Sequence, residues 1–358
     1  MNRRFAHGGN IYDAAPKGGE WLDFSANINP LGLSQKVRQT IENGIEKIVH
    51  YPDPSARALK QAIAEHYGVP LEKIVLGNGG VELFYVYFHA LRPKRVILPI
   101  PSFSEYERAA ISAGAEVAYV ELREENDFSI DERVLCAQIA ENDCLILGNP
   151  NNPTGQMVKA DVLERIVAEA GRKRASVVVD ESFMDFRVDF DEYTVRSLVN
   201  RYDNLLVVQS LTKFFAIPGL RLGFAVAPSS MVERLDAAKD PWNTNLLAQA
   251  AGVAALGDVE YQKQTLQWLE PERDFLLRVF SEFKGIKTYR PMVNFIFLRL
   301  SPCWGSAPAF CERMKAEGIL LRDCSNYIGL DDSFIRVAVR KREDNELLLH
   351  AFRCVRGK

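Results

Sequence analysis

Between residues 74 and 226 seven short apolar runs recur, each too brief for a helix. They are Ile74-Val75-Leu76, Val96-Ile97-Leu98, Val117-Ala118-Tyr119-Val120, Cys144-Leu145-Ile146-Leu147, Val177-Val178-Val179, Leu205-Leu206-Val207-Val208 and Gly223-Phe224-Ala225-Val226. Continuous runs of this length, rich in β-branched residues, fit strands covered on both faces. Helical stretches lie among them at 55–67, 81–90, 103–113 and 159–173. Strands alternating with helices predict βαβ units, hence an α/β fold around a mixed, mostly parallel seven-stranded sheet. Ligands of such sheets bind beyond the carboxyl ends of the strands.

The pattern changes downstream. Residues 244–284 read as helix with a break or kink at Pro271. Strand-like segments follow at 293–298 and 334–339, with helices at 307–316 and 343–356, as in a smaller α+β domain. At 358 residues the chain exceeds what one growing core accommodates. The expected division is a large domain over 45–240 and a smaller one built from 1–44 and 241–358. The first thirty residues are irregular, but Trp21, Leu22 and Phe24 predict that they pack onto something.

Formal net charge is −3 and a quarter of the residues are charged, which points to neither nucleic acid nor a membrane surface as partner. None of the six cysteines forms a C-x-x-C pair and the five histidines are scattered, so no metal site is expected. Buried free thiols, the lack of a signal-peptide core in MNRRFAHGGN and the lack of a membrane-length apolar run all read as a cytoplasmic protein.

Four strand ends carry polar residues. Gly77-Asn78-Gly79-Gly80 follows a strand and opens a helix at Val81, which lets backbone N–H groups approach an anion. Asn149-Pro150-Asn151-Asn152-Pro153-Thr154-Gly155 is a stiff turn. Asp180-Glu181 follows three valines, where a carboxylate needs a cationic or N–H partner or caps the next helix. Ser210-Leu211-Thr212-Lys213 places an amine just past a buried strand, where burial and nearby cations depress its pKa and make it a nucleophile. Ser210, Thr212 and Arg221 are suited to one phosphate. Taken singly, a plain turn explains each glycine or proline motif as well. Taken together, they supply what pyridoxal 5′-phosphate (PLP) requires: a lysine, an acid for the pyridine nitrogen, a phosphate cup, a partner for the ring hydroxyl and an apolar surface to stack on.

The string Ser210–Gly223, S-L-T-K-F-F-A-I-P-G-L-R-L-G, resembles the Schiff-base motif of the class I and II aminotransferases, near their histidinol-phosphate branch. That resemblance implies PLP-dependent transferase fold type I. It makes Lys213 the Schiff-base lysine and Asp180 the partner of the pyridine nitrogen. Asn152 becomes the donor to the ring hydroxyl and Phe103 the stacking aromatic. Gly79, Gly80, Val81, Ser210, Thr212 and Arg221 become the phosphate cup. Tyr51 resembles the tyrosine that reaches a neighbouring subunit's cofactor, which implies a homodimer with shared sites. Phe183 stands where many of these enzymes carry a tyrosine, so the ring oxygen depends more on Asn152.

Arg336 resembles the substrate-carboxylate arginine of the aminotransferases, and Arg322 the arginine that binds the phosphate of histidinol phosphate; surface salt bridges remain open for both. His7-Gly8-Gly9-Asn10 and Asp23–Gly32 resemble the threonine-phosphate decarboxylases of cobalamin biosynthesis, as do Phe183, Asp185-Phe186, Ala216–Gly219 and Pro241-Trp242. That branch implies that His7, Gly8, Asn27, Asn152, Arg322 and Arg336 close over a phosphorylated amino acid. The expected reaction is decarboxylation of L-threonine O-3-phosphate to (R)-1-amino-2-propanol O-2-phosphate. Histidinol-phosphate aminotransferase and a decarboxylase of L-serine O-phosphate are the alternatives.

Overall fold

The computed structural model describes residues 6–13 and 19–356. All seven apolar runs are strands of one sheet. After the short β1 (Leu22–Asp23), they are β2 (Ile74–Gly77), β3 (Arg95–Ile100), β4 (Glu116–Glu121), β5 (Cys144–Gly148), β6 (Ser176–Asp180), β7 (Leu205–Ser210) and β8 (Gly223–Val226). Their order is β2-β8-β7-β6-β5-β3-β4. Only β8 runs against its neighbours, so β2 points the same way as β7 and the parallel strands beyond it.

The reason for unbroken apolar runs is visible in the packing. Val177 and Val179 enter one apolar cluster while Val178 enters another on the opposite face; Val207 and Val208 divide the same way. Each such side chain contributes about 1.5–3 kcal/mol of burial, before the entropy of ordering the chain is set against it.

The helices Arg57–Tyr67, Gly80–Leu91, Ser104–Ser112 and Ala160–Arg172 lie within two residues of the expected bounds. The stretch 244–284 does not. It is two helices, Leu246–Leu256 and Val259–Glu282, and the second runs through Pro271 without a break. The interruption falls at Gly257-Asp258, where the Asp258 side chain accepts from Tyr261 N and starts a new helix. Sequence periodicity also passed over the helices Gln35–Gly44, Glu132–Gln138 and Ser229–Ala238.

Further along come β9 (Ile286–Thr288), β10 (Phe295–Leu300), β11 (Ile319–Leu320), β12 (Arg322–Asp323) and β13 (Phe334–Ala338). Four of them form an antiparallel sheet in the order β12-β13-β10-β9. β1 pairs in parallel with β11, and Phe24 is fully buried, so the N-terminal segment is anchored as its apolar residues predicted. Among the described residues no helix is long and apolar enough to cross a membrane.

Candidate active site

The carboxyl ends of β2, β5, β6 and β7 converge, and the marked residues hang from them. Lys213 follows β7 and is half-buried; its Nζ donates to Ser210 Oγ at 2.9 Å, and Ser210 Oγ lies 2.8 Å from Thr212 Oγ1. Burial pushes the Lys213 amine down to about 8, against the pull of Asp180 and with help from Arg221 and Arg336. An amine titrating there is a nucleophile near neutral pH.

Asp180 ends β6. Its Oδ1 accepts from Ser182 N at 2.9 Å and its Oδ2 from Tyr106 Oη at 2.7 Å. Its neighbour Glu181 is fully buried and turned elsewhere: Arg196 Nε lies 3.1 Å from it, Thr194 Oγ1 and Val195 N each donate at 2.7 Å, and no helix is capped. Phe183 packs edge-on against Phe295, and its ring centre lies 5.6 Å from Lys213 Nζ.

Gly79 has φ +86° and precedes the helix Gly80–Leu91, with Val81 in its first turn. A Cβ on Gly79 would stand 2.3 Å from Arg221 Nη2, so only glycine lets that guanidinium approach the helix start. Ser210, Thr212 and the helix amides lie around the same place; the Cβ of Ser210 is 3.6 Å from where a Gly80 Cβ would be. This is a cradle of N–H, O–H and guanidinium donors suited to a phosphate dianion.

The turn after β5 is held rigidly. Asn149 bonds Val158 twice, through its O and N–H, and Asn151 Nδ2 donates to Pro101 O at 3.0 Å. Asn152 Oδ1 thereby accepts from Arg336 Nη1 and, at 3.1 Å, from Tyr327 Oη. Two donors on one atom identify it as the oxygen, leaving the amide nitrogen free to donate to a ligand. Arg336 Nη2 also donates to Ser25 O at 2.9 Å, while Arg336 Nε and Asn27 Oδ1 are buried with no hydrogen-bond partner. A buried guanidinium nitrogen left without a partner calls for a polar group to complete it.

Arg322 Nη2 donates at 2.8 Å to both Ala6 O and Asn326 Oδ1, and the guanidinium lies 4.9 Å over the Tyr327 ring. A Cβ on Gly8 would stand 2.2 Å from Ser25 O, which makes glycine obligatory where the irregular N-terminal segment passes Ser25. A cleft of about 940 Å³ opens here, lined by His7, Gly8, Ser25, Arg322, Asn326 and Tyr327 among others. The His7 ring lies 5.5 Å from that of Phe103. Neither arginine is a surface salt bridge; both are buried. Tyr51 alone stands apart: it is 79% exposed and packs on Trp242 at 4.8 Å.

The class I and II aminotransferase model matches residues 19–352. The chain belongs to that family. It is 39% identical to a protein of Caldanaerobacter subterraneus provisionally named threonine-phosphate decarboxylase, over 98% of this chain and 93% of that one. It is 36% identical to the threonine-phosphate decarboxylase of Salmonella typhimurium, over 98% and 96%. The crystal structure of the histidinol-phosphate aminotransferase from Clostridium acetobutylicum superposes with a TM-score of 0.87 at 30% identity, covering 94% of this chain and 99% of that one.

Three residues at the site escaped the sequence reading: Tyr106, Tyr327 and Glu105. Tyr106 lies three residues after Phe103, and one helical turn carries its hydroxyl to Asp180. That spacing was a usable signal. Nothing local marks Tyr327.

Proposed function

We propose that this chain is a PLP-dependent carboxy-lyase of cobalamin biosynthesis that converts L-threonine O-3-phosphate into (R)-1-amino-2-propanol O-2-phosphate and CO₂. The observation that carries the reading is full-length likeness to threonine-phosphate decarboxylases, with Phe183 where many aminotransferases carry tyrosine.

The residues fit the cofactor. Lys213 would hold its aldehyde carbon, Asp180 its ring nitrogen, and Asn152 its ring oxygen, with Phe103 against its face. Gly79, Gly80, Val81, Ser210, Thr212 and Arg221 would take its phosphate. When bound, PLP draws electrons from the substrate Cα and weakens the bond that stands perpendicular to its ring. What this chain adds is the choice of bond. Arg322, Arg336, Asn27, His7 and the Gly8 backbone take the substrate's phosphate, which leaves its carboxylate with few cationic anchors. The carboxylate is then free to stand upright and leave as CO₂. Lys213 Nζ, poised near neutral pH, returns a proton to Cα as general acid.

The reading includes a homodimer in the cytoplasm. The exposed ring of Tyr51 supports it, since in one copy that side chain reaches no cofactor residue named above.

A second reading, histidinol-phosphate aminotransferase, is favoured by the structural likeness at 30% identity. One assay separates them. Holoenzyme given threonine phosphate and no keto acid should release stoichiometric CO₂. Amino transfer from histidinol phosphate to 2-oxoglutarate, with no CO₂ from threonine phosphate, would reverse the assignment. Lys213→Ala should abolish both turnover and the bound cofactor's visible absorbance.

A further inference from the structure

We infer that Glu105 is a positioning residue for the substrate's phosphate: it holds the N-terminal strap over the site by its contact with His7. The inference rests on the reading above that His7 touches the substrate.

Glu105 lies in the first turn of the helix Ser104–Ser112, two residues after Phe103, the residue proposed to stack on the cofactor. An acid in a first turn is ordinarily an exposed partner of the helix dipole. Glu105 is not exposed: 5% of its surface reaches solvent. A carboxylate is costly to bury unless cations or donors meet it. The principal one comes from far along the chain. His7 Nε2 lies 2.8 Å from Glu105 Oε1, across 98 residues. Tyr85 Oη donates to Oε2 at 3.3 Å, and Arg108 Nη1 lies 3.4 Å from Oε1. Burial opposes its charge, yet His7 and Arg108 hold the carboxylate below its ordinary range.

Tyr85 belongs to the helix that begins at the phosphate cradle, and Phe103 precedes the helix that carries Glu105. Glu105 therefore ties the strap to the two elements that form the cofactor's bed. On its other side the strap is held by Arg322 and Asn326, both donating to Ala6 O at 2.8 and 3.1 Å. Residue 6 is thus fastened to β12 and the turn after it, and residue 7 to the helix that follows β3. Between the two fastenings the cleft is lined by His7, Gly8 and Arg322. Held against Phe103, the imidazole stays with the Arg322 guanidinium on the same cavity. Without Glu105 the strap keeps its anchors at Ala6 and at Gly9, whose N donates to Ser25 Oγ at 2.7 Å, but the imidazole loses the hydrogen-bond partner that sets its position.

The test is a double-mutant cycle on the holoenzyme with His7→Ala and Glu105→Gln. Glu105→Gln keeps the shape and removes the charge. It should raise KM for threonine phosphate about 5- to 30-fold, the difference between a charge-assisted and a neutral contact. It should leave cofactor affinity and the visible spectrum unchanged. In the His7→Ala background it should add less than about twofold, because coupled residues act as one unit. Glu105→Asp, one methylene short, should fall between and serves if Glu105→Gln yields no holoenzyme. If His7→Ala raises KM while Glu105→Gln is silent, or if the two effects multiply, the Glu105 assignment is overturned alone. If His7→Ala leaves KM unchanged, the strap's contact with substrate is overturned and the inference falls with it.

Discussion

Lys213 Nζ donates to Ser210 Oγ at 2.9 Å, so the amine and the first hydroxyl of the phosphate cradle are held as a pair before any ligand arrives. The neutral hydroxyl does not repay the loss of water around an ammonium. That imbalance is what lowers the amine to about 8 from its ordinary 10.5. Between those values the unfolded chain binds more protons than the folded one. Stability of the cofactor-free protein should therefore rise with pH across that window, by about 3 kcal/mol in full from this group. Below 8 and above 10.5 the contribution should be flat. Urea unfolding of cofactor-free wild type and Lys213→Met at pH 7.5 and 9.5 checks this. The stability gap between the two proteins should narrow by about 2 kcal/mol at the higher pH. A pH-independent gap would place the folded amine at its ordinary value.

Gly79→Ala should weaken PLP binding with little change in the unfolding of the cofactor-free protein beyond the cost of one strained residue. The new methyl would meet Arg221 Nη2 at 2.3 Å, and the positive φ adds about 1–2 kcal/mol. The guanidinium is the easier group to move, so the loss falls on phosphate contact. Equilibrium titration with PLP should show at least a tenfold rise in Kd. Unchanged affinity would remove Arg221 from the cradle.

Arg322→Ala should raise KM for threonine phosphate roughly 10- to 100-fold, since charge-assisted contacts contribute about 1.5–3 kcal/mol. Arg322→Lys should recover only part, because one ammonium cannot replace both prongs of the guanidinium, Nη1 on Asp323 O and Nη2 on Ala6 O and Asn326 Oδ1. Steady-state kinetics on both variants decides it; equal KM values for wild type and Arg322→Ala would exclude the residue from substrate binding.

Tyr327→Phe removes one hydroxyl and keeps the ring beneath Arg322. Asn152 Oδ1 would retain Arg336 as a donor, so the effect should be modest, about 3- to 10-fold in kcat/KM, as for one neutral hydrogen bond. Because the loss acts through the amide proposed to donate to the cofactor's ring oxygen, the visible absorbance should shift as well. Tyr327→Leu should cost more, since the surface under the guanidinium goes too.

The strands, and the residues proposed to face the cofactor, were legible because their causes are local. A strand buried on both faces must be apolar at every position, so Val177-Val178-Val179 announces itself in three residues. Asp180, Asn152, Lys213 and Arg221 sit in contiguous turns at strand ends, so the order of the chain lays out the chemistry before it folds. The division of 244–284 is local as well, but it falls at Gly257-Asp258, where glycine ends one helix and the Asp258 side chain caps the next, and not at Pro271.

What the sequence by itself determined is therefore the sheet, the family and the ring of residues fit for the cofactor. Only the tertiary structure decided which distant partners complete them: Tyr106 on Asp180 across 74 residues, Tyr327 on Asn152 across 175, and His7 on Glu105 across 98. Burial follows from a residue's own periodicity, but a side-chain pair exists only once strand order brings two segments together. In this protein that order runs β2-β8-β7-β6-β5-β3-β4, and no spacing along the chain encodes it.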